Sequence, residues 1–274
     1  MPPPIDTMPL SLAHLSELDV PPADLIDLAA AAGFASVGLR TSAASPGGIE
    51  YPLRTSAERA EMRRRMSATG VSVVYIEMVS LSETTRVADC RPMLDTGAAL
   101  GASRLAVAGD GADLAVVAER LAEICDLARG YGIAVDLEFM PYRPVRSLAD
   151  AAEVVRQAGR ANAHVLVDAL HFFRSASSLH DLARLDPAML GTFQICDAPS
   201  RAPAPEDLVT EARTRRLPPG RGGLALSSLI DALPPGIPFG VEVPLAAQHP
   251  DLDPAARASL LVDTTREFLQ QRNA

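Results

Sequence analysis

One repeated pattern constrains this chain more than any motif. Short β-branched or apolar runs keep giving way to Ala-, Leu- and Arg-rich segments with helical spacing along 274 residues. A near-continuous apolar run of five to eight residues suits a strand buried on both faces, and the amphipathic segment after it suits the covering helix. Strands are expected at Leu10–Glu17, Ser36–Arg40, Val71–Val79, Arg104–Ala108, Ile133–Phe139, His164–Leu170, Thr192–Asp197 and Pro238–Val243. The helices between them begin after Pro21-Pro22 and then fall at Glu58–Ala68, Asp89–Leu100, Asp113–Tyr131 (closed by Gly132), Ser147–Ala158, Ser178–Leu190, Ala225–Ala232 and Pro254–Gln271. An open doubly wound sheet shows the same alternation with fewer strands, whereas eight units predict an α/β chain closed into a single (β/α)8 TIM barrel. No shift in composition marks a second domain, so residues 1–274 read as one barrel domain. The longest irregular stretch, Ala198–Gly223, reads as an active-site loop rather than a linker.

Composition narrows the chemistry. All 25 basic residues are Arg, and without a single Lys the chain cannot be a Schiff-base aldolase, a pyridoxal-phosphate enzyme or a Walker-type nucleotide binder. A net charge of −9 argues against nucleic-acid partners and against anionic membrane surfaces. Cys90, Cys125 and Cys196 are odd in number and lack C-x-x-C spacing, which excludes a disulfide framework or structural zinc site and suits a reducing cytoplasm. The opening MPPPIDTMPL has no basic region followed by an apolar run, and no run approaches the ~20 apolar residues of a membrane helix, so a cytoplasmic location is expected.

In such barrels the reacting groups gather at the C-terminal ends of the strands. Strands five to eight each place an oxygen donor near that end: Glu138 in VDLEF, Asp168 in VLVDAL, Gln194 in TFQICD and Glu242 in FGVEVP. An isolated ionised carboxylate inside a strand is costly, so such groups are normally paired or bound to a cation. Each could also simply be hydrogen-bonded or cap the next helix, but four at equivalent positions point to a hard-cation site. Mg²⁺ or Mn²⁺ suits these oxygens best, with Co or Zn as further options. His171, three residues after Asp168, is placed for proton transfer or substrate orientation. His14 within the first strand, Arg40 at the end of the second and Glu77 at the end of the third are pocket-lining candidates for substrate binding. Arg40 has a pairing with Glu77 as its alternative. In EARTRRLPPGRGG, Arg216 is a candidate anion holder, against the alternative of a solvated basic loop. His164, at the opposite barrel end, reads as structural, Arg63-Arg64-Arg65 as solvated surface, and Cys196 as close to the site without a nucleophile's partners.

The order Glu138, D-x-x-H at Asp168–His171, Gln194-Ile-Cys-Asp197 and Glu242 resembles the xylose-isomerase-like barrel superfamily, also labelled sugar phosphate isomerase/epimerase or AP-endonuclease-2-like barrels. The resemblance spans nearly the whole chain. It implies Glu138, Asp168, Gln194 and Glu242 as divalent-metal ligands, with Gln194 where many relatives have His. It also implies proton transfer beside a carbonyl through a metal-stabilised enediolate, with Glu138, Glu242 and His171 as catalytic groups. An isomerase or epimerase of a small sugar, keto-sugar or polyol is the leading expectation. A dehydratase of the dehydroshikimate-dehydratase-like branch, where a Gln is also seen, is the alternative, and a non-catalytic ligand-binding barrel a third. The DNA-repair branch uses more histidines than the five here, so endonuclease activity is not expected. Arg221 replaces the acidic residue of the relatives' P-G-E-G segment. A small polyhydroxylated molecule is the expected partner, and the Ala-rich outer helices permit a homo-oligomer.

Overall fold

A computed structural model describes residues 8–45 and 47–272; residues 1–7 of the opening segment lie outside them. Eight parallel strands close into a barrel in sequence order. They are β1 (Leu10–Leu12), β2 (Ser36–Arg40), β3 (Ser72–Leu81), β4 (Arg104–Gly109), β5 (Ala134–Glu138), β6 (Ala163–Asp168), β7 (Leu190–Ile195) and β8 (Phe239–Val241). β1 closes the barrel by pairing with β8, Leu12 opposite Val241. The helices are α1 (Pro22–Ala32), α2 (Ser56–Thr69), α3 (Arg91–Ala99), α4 (Leu114–Arg129), α5 (Leu148–Ala158), α6 (Ala169–Arg174), α7 (Leu179–Arg184), α8 (Leu208–Thr214), α9 (Leu226–Asp231) and α10 (Pro254–Gln271). Among the described residues no helix is long and apolar enough to cross a membrane.

Strand periodicity of two separates two interiors. Val135, Leu137, Val165, Val167, Phe193 and Ile195 point outward and join the large apolar core under the helices. Their neighbours point inward, and the barrel axis is filled in layers. At the N-terminal end Asp136 pairs with Arg104, accepts the Thr192 hydroxyl at 2.6 Å and lies 3.7 Å from His164, which sits at the barrel end opposite the upper polar layer. The middle layer is Ala13, Tyr75, Ala106 and Leu166. The upper layer is polar and forms the site described below.

Local chemistry explains the helix starts. Ser147 and Asp150 make a reciprocal capping box on α5, as their spacing predicts, and Thr55 and Glu58 make another on α2. Asp168 is both the last residue of β6 and the N-cap of α6, its Oδ1 accepting the His171 N–H at 3.0 Å. The D-x-x-H spacing is thus a cap that fixes the histidine. Buried Glu17 binds Arg257 of α10 at 2.9 and 2.5 Å, tying the last helix to the turn after β1.

Several boundaries differ from the sequence expectation. β1 stops at Leu12, and His14–Glu17 forms a 3-10 turn, because the backbone there must bend across the barrel mouth. His14 therefore follows the strand instead of lying within it. β3 runs on to Leu81, so Glu77 sits mid-strand; the Glu77–Met78 peptide bond is cis. α4 ends at Arg129 with Gly130 as its cap, and Gly132, at φ +70°, turns the chain into β5. The helix expected to reach Leu190 ends at Arg184, where Asp186-Pro187 interrupts it and Leu190 opens β7. The stretch expected to be irregular contains α8.

A Cβ at Gly38 would come within 2.0 Å of the Tyr75 ring that fills the middle layer. Gly38→Ala is therefore expected to lower stability in urea unfolding by about 1–3 kcal/mol. Gly130→Ala, with only ordinary contact at 3.5 Å, should stay within about 0.5 kcal/mol of wild type.

Candidate active site

The C-terminal mouth of the barrel gathers an unusual charge density. Glu77, Glu138, Asp168 and Glu242 are all buried there with the guanidiniums of Arg40 and Arg216. Arg40 pairs with Glu77, Nε and Nη2 lying 3.0 and 2.9 Å from the same oxygen. Arg216 reaches Asp168 Oδ2 at 2.6 Å and Glu242 Oε2 at 3.1 Å. Its Nε donates to the Ala212 carbonyl at 2.8 Å. Four carboxylates face two guanidiniums, so the fully ionised cluster lacks two positive charges.

The protonation balance follows from that deficit. Burial, then the charges of Glu242 and Asp168, push the Glu138 carboxyl well above its usual range. Burial also raises Glu242, against the pull of Arg216. Burial is the largest single influence on Asp168 and would raise it, but the Arg216 charge, the nearby His171 and the hydrogen bonds from both together outweigh it and keep this carboxyl low. His171 is lowered to about 4 by burial, against the attraction of Asp168. The 3.6 Å between its Nε2 and Glu138 Oε1 is therefore a contact of a neutral ring. Tyr142 packs edge-on against that ring at 5.5 Å.

Gln194 completes the floor. Its Nε2 donates to Glu242 Oε1 at 3.0 Å and to the Tyr75 hydroxyl at 3.4 Å. That leaves its buried Oε1 without a partner, as is His171 Nδ1. An orphaned buried acceptor normally costs about 1–3 kcal/mol, so an unmet acceptor beside buried carboxylates fits a cation. Single ligand atoms of Glu138, Asp168 and His171 also lie within 4.8 Å of one another. The donors present, mostly oxygens, fit a divalent ion.

The sequence candidates thus separate. Glu138, His171, Glu242, Arg40 and Arg216 line a cavity of about 70 Å³, with Asp168 and Gln194 bonded to them from beneath. Glu77 faces inward but spends its carboxylate on Arg40, the alternative weighed for that arginine. His14 is fully buried with both ring nitrogens engaged by backbone, Nδ1 accepting from Arg40 N–H at 3.0 Å and Nε2 at 2.9 Å from the Val20 carbonyl. It stacks on Tyr51 and has no ring nitrogen left for a substrate. Arg216 is 1% exposed, which overturns a solvated loop at this position. Nor are its donors free for an anion, because converging carboxylates in a poorly solvated pocket capture the nearest guanidinium. Cys196 lies 3.4 Å from Arg216, and burial pushes its thiol far up, so it carries no nucleophile. Arg221 pairs with Glu267 on the outside, away from this floor.

Sequence reasoning missed the groups that hold the site in place. Arg174 of α6 binds Glu211 of α8 through two 2.8 Å contacts. Asp197 accepts the backbone N–H groups of Ala198, Gly220, Gly222 and Leu224 at 2.8–3.1 Å. It gathers the P-P-G-R-G-G segment against the chain just after β7, where Asp197 also bridges Leu217. A Cβ at Gly222 would meet the Ala198 carbonyl at 2.4 Å. An Asp three residues after Gln194, followed by a glycine cluster, was the available signal.

A family profile for the xylose isomerase-like TIM barrel matches residues 26–265. Two curated relatives, both named inosose isomerase, match over part of the chain. That of Bacillus velezensis is 30% identical over 118 residues, 42% of this chain and 40% of the relative. That of Bacillus subtilis is 29% identical over 115 residues, 41% and 40% respectively. The match spans about two fifths of the length of these relatives. Among solved structures, the IolI protein with a bound zinc atom superposes with a TM-score of 0.79 at 18% identity, covering 97% of this chain and 99% of that one. The probable 3-DHS dehydratase AsbF of Bacillus anthracis gives 0.74 at 16%, covering 93% and 99%. D-psicose 3-epimerase of Clostridium cellulolyticum, solved with D-tagatose, gives 0.69 at 16%, covering 96% and 99%. At these identities the superpositions speak to the fold.

Removing the Asp197 carboxylate leaves four backbone donors unmet, so Asp197→Ala is expected to loosen residues 217–224. Limited proteolysis should cut there at least about tenfold faster, while far-UV circular dichroism stays close to wild type.

Proposed function

Because the chain belongs to the xylose isomerase-like TIM barrel family, we propose that residues 1–274 form one barrel domain whose mouth is the active site of a divalent-metal-dependent isomerase or epimerase. Its substrate would be a small polyhydroxylated carbonyl compound: a keto-sugar, a sugar or a cyclic polyol ketone of the kind named for the inosose isomerases. One observation carries this reading most: the partnerless Gln194 Oε1 beside a buried carboxylate cluster short of two positive charges. The zinc named for the IolI neighbour supports a divalent metal.

Glu138, Asp168, Gln194 and Glu242 would hold the cation, with His171 near enough to Glu138 and Asp168 to join them. When bound, the ion polarises a substrate oxygen and steadies the negative charge that develops there. Proton movement falls to the protein. Glu138 at the end of β5 and Glu242 after β8 both face the cavity, so one takes the proton beside the carbonyl and the other returns it. Arg216 keeps Asp168 and Glu242 apart and oriented by holding one oxygen of each. Arg40, with Glu77 fixing its guanidinium, offers its remaining donors to a substrate oxygen. Met78, Met140 and Tyr142 form an apolar wall that limits water at the reacting carbon.

A second reading, a lyase that removes the same proton and expels a β-hydroxyl, is favoured by His171. Its ring lines the cavity and is kept neutral by burial, so it can accept that proton.

Elemental analysis of purified protein is expected to show near-stoichiometric Mn, Mg, Co or Zn that chelation removes. Glu242→Gln should weaken metal retention at least about tenfold. Glu138→Gln should slow solvent-deuterium exchange into keto-sugars by about 10²-fold or more. Metal with no exchange and no turnover would leave a ligand-binding barrel; protein metal-free even after dialysis against these ions would end the proposal.

A further inference from the structure

Three cavities meet at the barrel mouth. The site cavity opens beside a cleft of about 840 Å³ whose wall is rich in hydroxyls, among them Thr41, Ser42, Ser80 and Thr85. A third hollow of about 350 Å³ lies on the other side, against the turn after β1 and the segment after β8. Ala44 and Arg213 border all three. Arg213 is thus the one charged group placed at their junction.

Its electrostatic state sets it apart from its neighbours. Among the described residues Arg40 pairs with Glu77, Arg143 with Asp110, Arg216 with Asp168 and Glu242, and Arg257 with Glu17, whereas Arg54, which lines the outer cleft alone, only approaches Glu50 at 3.9 Å with three quarters of its side chain exposed. Arg213 is exposed and makes no ion pair or side-chain hydrogen bond among the described residues. Its backbone is nevertheless anchored. Glu211, two residues before it, is held by Arg174, and the carbonyl of Ala212 accepts from Arg216. The anion-holding role expected for this arginine-rich segment therefore moves from Arg216, which the carboxylates consume, to Arg213.

The site is also polar along its depth: the floor holds two more carboxylates than guanidiniums, whereas the adjoining cleft sets Arg54, Arg143 and Arg213 against Glu50, Asp89 and Asp110, with Arg213 paired to none of them. A substrate with an anionic group at one end is repelled from the floor at that end and attracted to the rim, so its other end is presented to Glu138 and Glu242. The adjoining cleft supplies room for that group beyond the small inner cavity.

We propose that Arg213 is a specificity-determining residue of this site, and that it selects a substrate bearing a carboxylate or phosphate remote from the reacting carbon. This rests on the isomerase/epimerase reading of the barrel mouth. Arg213 binds the anionic group through charge-assisted hydrogen bonds and orients the molecule.

Calorimetric binding to the metal-loaded protein tests this with D-fructose, D-fructose 6-phosphate and D-glucuronate. Wild type should bind at least one anionic probe about tenfold or more tighter than fructose. Arg213→Gln should shrink that preference to about threefold or less, and Arg213→Lys should retain most of it. Tighter binding of fructose 6-phosphate alone identifies phosphate, and of glucuronate alone a carboxylate. Equal affinity for all three probes, or a preference unchanged in Arg213→Gln, overturns the proposal. Failure of the underlying reading shows itself separately, as unaltered metal content and turnover in Glu242→Gln while the rim preference for anions persists.

Discussion

The organisation of this barrel mouth turns on the burial of four carboxylates within reach of only two guanidiniums. Unpaired, an ionised carboxylate in such surroundings costs several kcal/mol. Each neighbouring element can be understood by how it answers that cost. Arg40 neutralises Glu77 from the adjacent strand, and His14 accepts the Arg40 backbone N–H. Arg216 bridges Asp168 and Glu242. To deliver Arg216, α8 must dock, which Arg174 and Glu211 achieve, and the chain beyond must turn back sharply, which Asp197 achieves with its backbone hydrogen bonds. The remaining charge deficit matches that of a divalent ion.

The barrel can host such a floor because strand periodicity sorts residues within a single strand. On β5, Val135 and Leu137 join the apolar core outside while Asp136 and Glu138 face in at two heights. The lower carboxylate is fully answered by Arg104 and Thr192, whereas the upper one is not. Two acidic residues in VDLE thus have opposite fates. Between the layers, Tyr75 crosses the axis where Gly38 gives it space, and its hydroxyl meets Gln194. A packed middle layer therefore separates a closed electrostatic plug from a reactive mouth.

These features also explain what could be foreseen from the residues. The alternation of runs revealed the closed barrel because burial on two faces leaves a strong periodic trace in every strand. Glu138, Asp168, Gln194 and Glu242 stood out because polar groups are rare in such runs, and the structure brings them to one mouth. Arg216 could not be placed from its neighbours, since whether an arginine in a basic loop is solvated or buried depends on α8, whose register follows a Pro-rich stretch. The surroundings of His14 are hidden for a related reason: the backbone groups that occupy its ring come from Val20 and Arg40, and neither contact leaves a trace in local spacing. The helix end near Arg184 shifted because its proline signal, Pro187, lies three residues beyond the last helical residue, and that at Arg129 because two glycines follow closely and the nearer, Gly130, is the cap.

Gln194 shows how closely the floor is adjusted. A carboxylate in its place would add another negative charge to a cluster that already lacks compensation. A histidine would keep one nitrogen for a ligand and have only the other to offer a neighbour. The amide does more: its NH₂ group reaches both Glu242 and Tyr75, which fixes its plane, while its oxygen stays available. Holding Glu242 Oε1 from one side while Arg216 holds Oε2 from the other constrains that carboxylate in rotation as well as position. Under the proposed function, this is what lets a group just past a short strand at the barrel seam keep a fixed distance to a proton on the substrate. It also leaves an oxygen-rich donor set, favouring hard cations over those that recruit nitrogen or sulfur.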